Sequence, residues 1–343
     1  MINRSSPLKT FLFKISIFSL PFLLLFLVYI GTDPFKVLYR YQNYYPPREH
    51  QYIILNRDRI TTESLIRNYP LYLYDSYIFG NSRSYFYRTN EWSKLINSNK
   101  IFHFNANDES LYGVVQKLKY IDDNKLNFSN ALFVFDSGLL KQDAPNTGHL
   151  FIKHPVYTHQ SWIEYHTEFL KAFFEPRFLI AYLDLLITGT FKGYMRKVMS
   201  DKIYDYNLAH NELFLNDEEL KIEKDSIGYY QKKKKVFYTR TPVKQYDASI
   251  LKMEQQLLLK ELSFLLSKNR VNFKIIISPL YDQKKMNAAD FKYLQKLFGA
   301  ENVFDFSGQN AITASPGNYY EDSHYRTFVA TQLMQSVYGK VRL

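Results

Sequence analysis

Five short apolar runs, each closed by a polar turn, constrain this chain more than any other feature. They occupy residues 71–79, 101–104, 131–135, 273–277 and 302–306. Near-continuous apolar runs, rather than strict alternation, are what strands buried on both faces require. Between them, apolar residues recur at helical spacing. Leu111, Val114, Val115, Leu118 and Ile121 predict a helix starting near Glu109 or Ser110, and Leu251, Leu257, Leu258, Leu262, Leu265 and Leu266 predict a long one over 246–268. Helices are also expected over 288–298 and 325–338. The pattern predicts an α/β fold with three layers: one mostly parallel sheet flanked by helices, its polar turns sharing the rim where such sheets bind ligands.

Two segments break this rhythm. Residues 11–30 carry one charge, Lys14, and one proline, Pro21, and are long enough to cross a bilayer as a helix. Arg4, Lys9 and Lys14 on the N-terminal side predict a cytoplasmic N-terminus over residues 1–10. A cleaved signal peptide is the rival, but the following Val28-Tyr29-Ile30-Gly31-Thr32-Asp33 offers no small-x-small site. The expected topology is a single pass through the cytoplasmic membrane, with the C-terminal domain outside. Residues 31–70 then read as a juxtamembrane linker, and 71–343 as the domain. Within it, 141–244 reads as a mostly helical insertion, a candidate lid. Residues 178–191 are strongly apolar but too short to span, and Lys192, Arg196 and Lys197 follow. They form either a buried helix or a surface that lies on the membrane or docks on a membrane partner.

Composition narrows the chemistry. The chain has no cysteine, which excludes disulfides and thiolate metal sites. His149, His154, His159 and His166 are not spaced at three or four, as a helical zinc pair would be, so no metal is expected. Only 12 glycines are present and no phosphate-cradling loop, so no nucleotide cofactor is expected. The net charge of +11 includes the run Lys232-Lys233-Lys234-Lys235. It reads as a solvated loop or as a contact for anionic lipid or acidic glycan, and an extracytoplasmic domain does not meet nucleic acid.

The residues that carry chemistry stand at the two ends of the domain. Gly80-Asn81-Ser82 follows the first apolar run, where a small residue lets the chain turn and leaves a hydroxyl exposed above the sheet edge. Glu321-Asp322-Ser323-His324 lies near the C-terminus. A serine, a histidine and an acid are the parts of an activated oxygen nucleophile. Ser82 is the candidate nucleophile and His324 the candidate base. Glu321 or Asp322 is the orienting acid, and the unused one is a helix cap.

These motifs resemble the first and last blocks of the SGNH (GDSL-like) hydrolase superfamily, with Asn81 where many members have Asp. The likeness covers residues 72–144 and 244–338. It is nearest to the membrane-anchored, extracytoplasmic members, which include alginate O-acetylation proteins and the D-alanine transfer protein of teichoic acid synthesis. The resemblance implies an acid three residues before the histidine, Glu321, although some O-acetylation relatives place it two before, at Asp322. It also implies oxyanion donors, for which Ser82, Asn81, Asn105 and Asn107 are the candidates here. The family's Gly-x-Asn block is replaced by Asp136-Ser137-Gly138. The expected function is that of a Ser-dependent esterase or O-acyltransferase acting on cell-envelope polysaccharide. Its partners would be an acylated polysaccharide or acyl donor and a membrane-bound acyltransferase. The alternative is an inactive envelope scaffold or glycan-binding protein on the same fold.

Overall fold

The computed structural model describes residues 7–45 and 49–339. Arg4 and the Pro46-Pro47 pair lie outside them. Helix α1 (Pro7–Thr32) contains the whole 11–30 stretch, and is the one helix among the described residues long and apolar enough to cross a membrane, with a mean hydropathy of 2.4. Helix α2 (Arg57–Tyr72) precedes the sheet.

The sheet has five strands: β1 (Ser76–Gly80), β2 (Ile101–His103), β3 (Asn130–Phe135), β4 (Asn272–Ile277) and β5 (Val303–Asp305). Every neighbouring pair is parallel, in the order β5-β4-β3-β1-β2. Side chains alternate between two covered faces. Tyr77, Phe79, Phe133, Phe135, Ile275 and Ile277 pack against the layer built by α4 (Leu111–Asp123), α7 (Met253–Lys268) and α8 (Ala288–Phe298). Ile78, Leu132, Val134 and Ile276 face the layer of α3 (Thr89–Ile96) and α9 (Thr327–Val337). Helices α5 (Trp162–Phe173) and α6 (Pro176–Thr188) belong to a third cluster off the sheet. The chain runs from β1 outward to β2, then crosses back to β3. The strand order therefore reverses between β1 and β3, and a crevice opens beyond their C-terminal ends.

Two expectations are corrected. Residues 71–75 are not strand: Leu71 and Tyr72 end α2, and Leu73 caps it in the left-handed conformation at φ 47°. Leu71 is apolar but 76% exposed, so its hydropathy mimics a strand that begins only at Ser76. The long helix starts at Met253, while Gln245–Tyr246 pairs in parallel with Lys284–Lys285. Residues 31–70, read as a juxtamembrane linker that could pack on the domain, are folded against it. The Asp33 carboxylate accepts the amides of Val37 and Leu38 at 2.8 and 2.9 Å. Phe35, Val37, Tyr44 and Ile60 are buried with α5 and α6.

Segment 141–244 is less helical than its composition suggests. It holds α5 and α6, but also an antiparallel hairpin of Asp205–Asn207 with Glu212–Phe214. Lys202–Ile203 pairs with His50–Gln51, so the two segments outside the sheet form one layer together.

Candidate functional site

The switch point fixes Ser82. Gly80 has φ +150°, and a Cβ there would lie 2.6 Å from the Val134 carbonyl oxygen, so only glycine lets β1 approach β3 this closely at its end. Asn81 then caps a single 3-10 turn, Ser82–Phe86, its side-chain oxygen accepting the Arg83 amide at 3.1 Å. Ser82 is the first residue of that turn, where the amide has no acceptor within the turn.

His324 arrives on a short hairpin of Tyr319–Glu321 with His324–Tyr325, in which Glu321 and His324 face each other. Tyr325 anchors the hairpin from below, buried with its hydroxyl 2.9 Å from that of Tyr87. Phe86 holds the imidazole edge-on at 5.8 Å between ring centres. The result is a chain of contacts across 242 residues of sequence: Ser82 Oγ lies 2.7 Å from His324 Nε2. On the other side of the ring, His324 Nδ1 lies 2.5 Å from Glu321 Oε1. That hydrogen bond holds the Glu321 carboxyl down at about 2, against the opposing effect of burial. Lys202 and Lys233 add to the lowering. Asp322 is exposed in the turn and makes no hydrogen bond with His324, whose Nδ1 meets Glu321 and Ser323; nor does it cap the terminal helix as expected, since that helix begins after Arg326.

The four oxyanion candidates separate. Asn81 donates its amide to Asp136 Oδ2 at 2.6 Å and is 5% exposed. Asn105 is fully buried between Arg57 and His103. Both side chains are occupied elsewhere and do not face the site. Asn107 does: it lines the same cavity as Ser82 and His324. The Tyr85 hydroxyl donates to its Oδ1, which leaves the Asn107 NH2 group free to donate. Asn107 is carried there by backbone pairing beyond β2, where the Phe104 and Ala106 amides donate to the Ile78 and Gly80 carbonyls.

Asp136, which stands in place of the Gly-x-Asn block, has a different task. Its Oδ2 accepts Arg83 Nη1 at 2.8 Å, and Arg83 Nε donates to the Ser323 carbonyl at 3.0 Å. Arg83 thereby ties the histidine hairpin to the ends of β1 and β3. Sequence reasoning missed this role, for which the only signal is an arginine next to the serine.

The cavity above Ser82 has a volume of about 340 Å³. Ile53, Leu55, Leu213 and Leu215 supply apolar walls, all from outside the sheet. Lys202 lines it too. Lys233, from the four-lysine run, is clamped to Glu218 at 2.8 Å and to the Tyr320 carbonyl at 2.9 Å. Burial opposes ionisation of Glu218, yet hydrogen bonds from Lys233, Tyr229 and Lys221 hold its carboxyl at about 2. Glu219, on the same short helix as Glu218 (Asn216–Lys224), pairs with Arg326. Among the described residues, no group of histidines and acids is arranged to hold a metal ion.

No protein-family model matches the chain, and no curated protein matches its sequence.

Proposed function

We propose that the protein is a membrane-anchored, extracytoplasmic Ser-dependent esterase or O-acyltransferase of SGNH type, acting on cell-envelope polysaccharide. The observation that carries this reading is the Ser82–His324–Glu321 chain opening on a cavity. Its support has two further parts. The site lies at the switch point of a doubly wound parallel sheet, where such folds bind ligands. The apolar α1 is long enough to serve as the anchor, and in this reading the basic residues before it set the N-terminus in the cytoplasm.

In this mechanism Ser82 Oγ attacks the acyl carbonyl carbon while its proton passes to His324 Nε2. Glu321 fixes the imidazole tautomer and stabilises the imidazolium. The oxyanion is held by the Ser82 amide and the Asn107 NH2 group. Collapse breaks the bond to the leaving alcohol, which takes the proton from His324, and an acyl-Ser82 ester remains. An acceptor hydroxyl, from water or a sugar, then loses its proton to His324 and attacks that ester. Regenerated Ser82 recovers the proton.

The test is covalent. A fluorophosphonate probe labels Ser82 in the full chain, and with an acyl donor supplied, mass mapping finds the acyl group on Ser82. Folded protein that takes neither the probe nor the acyl group is instead the scaffold, with Asp136 in the Gly-x-Asn position as the lesion.

A further inference from the structure

Helices α5 and α6 form a hairpin beside the outer end of α1. Leu25, Val28 and Tyr29, one face of α1 at helical spacing, pack into the third cluster. The Tyr29 ring lies 5.1 Å from that of Phe173 at the end of α5. Phe35, just beyond α1, stacks on Phe178 at 4.9 Å. Leu25 precedes the end of α1 by about 10 Å of helix rise. Whatever packs on Leu25 and Val28 therefore sits at the depth of the outer end of the span, not above it.

The other side of α6 is uncovered. Ile180, Leu186 and Ile187 are 62%, 48% and 83% exposed. Asp184 is the only acid in this 13-residue helix, and Lys192 holds it at 2.6 Å. Tyr194 is 46% exposed in the loop that follows, where Arg196 and Lys197 are exposed as well. Ile180 and Ile187 share this face with Asp184, whose charge Lys192 offsets, and an aromatic and cations follow, a composition suited to a helix lying in a membrane interface.

We infer that the α5–α6 hairpin is a second membrane contact, with Ile180, Leu186 and Ile187 seated against the acyl chains of the outer leaflet and the 192–197 loop at the headgroups. The inference rests on the reading of α1 as an anchor. Lipid is the occupant because the hairpin is held against α1 at bilayer depth. The helix is too short to cross, so it lies along the surface. The residues flanking this loop connect it to the candidate site, where Ser200, Gln51 and Ile53 line the cavity. Phe191 stacks on Tyr52 at 5.2 Å, and the Ser200 amide donates to the Tyr52 carbonyl at 2.9 Å. Seating the hairpin thus holds the cavity wall close to the bilayer.

The absence of cysteine makes the test direct. Ile187→Cys, Leu20→Cys and Leu257→Cys are made singly in the full chain, labelled with an environment-sensitive nitrobenzoxadiazole and reconstituted into phosphatidylglycerol/phosphatidylcholine vesicles. Leu257 is a remote exposed residue on α7, at 59%. The expected result is that a spin-labelled lipid quenches the label at 187 at least several-fold more than the label at 257, and aqueous iodide quenches it less. A lipid-quenched label at 20 with a water-exposed label at 187 overturns the hairpin contact alone and favours a protein partner for that face. Water exposure at both 20 and 187 overturns the anchor and this inference together.

Discussion

Two clusters of ionisable side chains dominate this protein, and they differ in what surrounds them. In one, Asp58, Glu109, Lys117 and Lys153 meet between α2, α4 and segment 141–244. Lys117 lies 2.5 Å from Glu109 and 3.0 Å from Asp58, and Lys153 lies 2.5 Å from Glu109. All four side chains are at most 1% exposed. Despite burial, the two lysines hold the Asp58 carboxyl below the usual range, and the two acids hold the Lys117 ammonium above its own. In the other, His324 and Glu321 are 23% and 42% exposed and end on a hydroxyl that faces a cavity. The first cluster spends its charges on each other. The second keeps one reactive atom with an open side. Buried charge alone is therefore a poor guide to chemistry, and access to space is the better one.

The comparison breaks most visibly at the nucleophile. Ser82→Ala abolishes labelling by the fluorophosphonate probe, and His324→Ala slows it by about 10²–10⁴, the usual contribution of a general base. Neither variant lowers the melting temperature of the detergent-solubilised protein appreciably. Undiminished labelling of either variant would mean that the pair in contact at 2.7 Å is not the reacting one.

The buried cluster gives the converse result. Lys117→Met leaves two buried carboxylates to share one lysine, Lys153, and costs about 3–5 kcal/mol of stability in denaturant titrations. The fraction that remains folded still labels at the wild-type rate. A loss of labelling rate in that folded fraction would show that the two clusters are coupled.

The asparagines sharpen the contrast within a single loop. Asn107→Ala removes a donor from the cavity and slows labelling by about 10²–10³, with stability kept. Asn105→Ala instead leaves Arg57 and His103 short of partners in the core, and costs about 1–3 kcal/mol with the labelling rate kept. Exchanged phenotypes would reverse the assignment of the oxyanion donor.

Only part of this was legible in the sequence. The strands could be read because burial on both faces demands unbroken apolar runs, as in β3 and β4, whose neighbours lie on either side. The error at Leu71 came from the same rule, since hydropathy cannot show that a leucine at a helix end faces solvent. Ser82, Glu321 and His324 could be read because short turns place them. The choice among Asn81, Asn105 and Asn107 could not, since it depends on Asp136, 55 residues from Asn81, and on Arg57, 48 residues from Asn105. The cavity walls were hidden for the same reason. The pairing of His50 with Ile203 is a non-local contact with no local pattern.

The smallest expected effect separates Glu321 from Asp322. The Glu321 carboxyl ionises at about 2 in the fold, against an ordinary value of 4.5. As pH falls, the unfolded chain takes up this proton first. The stabilisation from Glu321 is thus complete above 4.5 and is lost as pH falls through 2. Glu321→Gln should accordingly differ from wild type by a constant amount of stability above pH 4.5, and the difference should shrink toward pH 2. Its labelling rate falls as well, because the imidazole loses the partner that fixes its tautomer. Asp322→Asn, at the exposed tip, stays within about 0.5 kcal/mol of wild type at every pH, with its labelling rate unchanged. Denaturant titrations between pH 2 and 7, with labelling rates at pH 7, measure both. If the pH-dependent gap appears in Asp322→Asn and not in Glu321→Gln, the acid two residues before the histidine is the one that orients it.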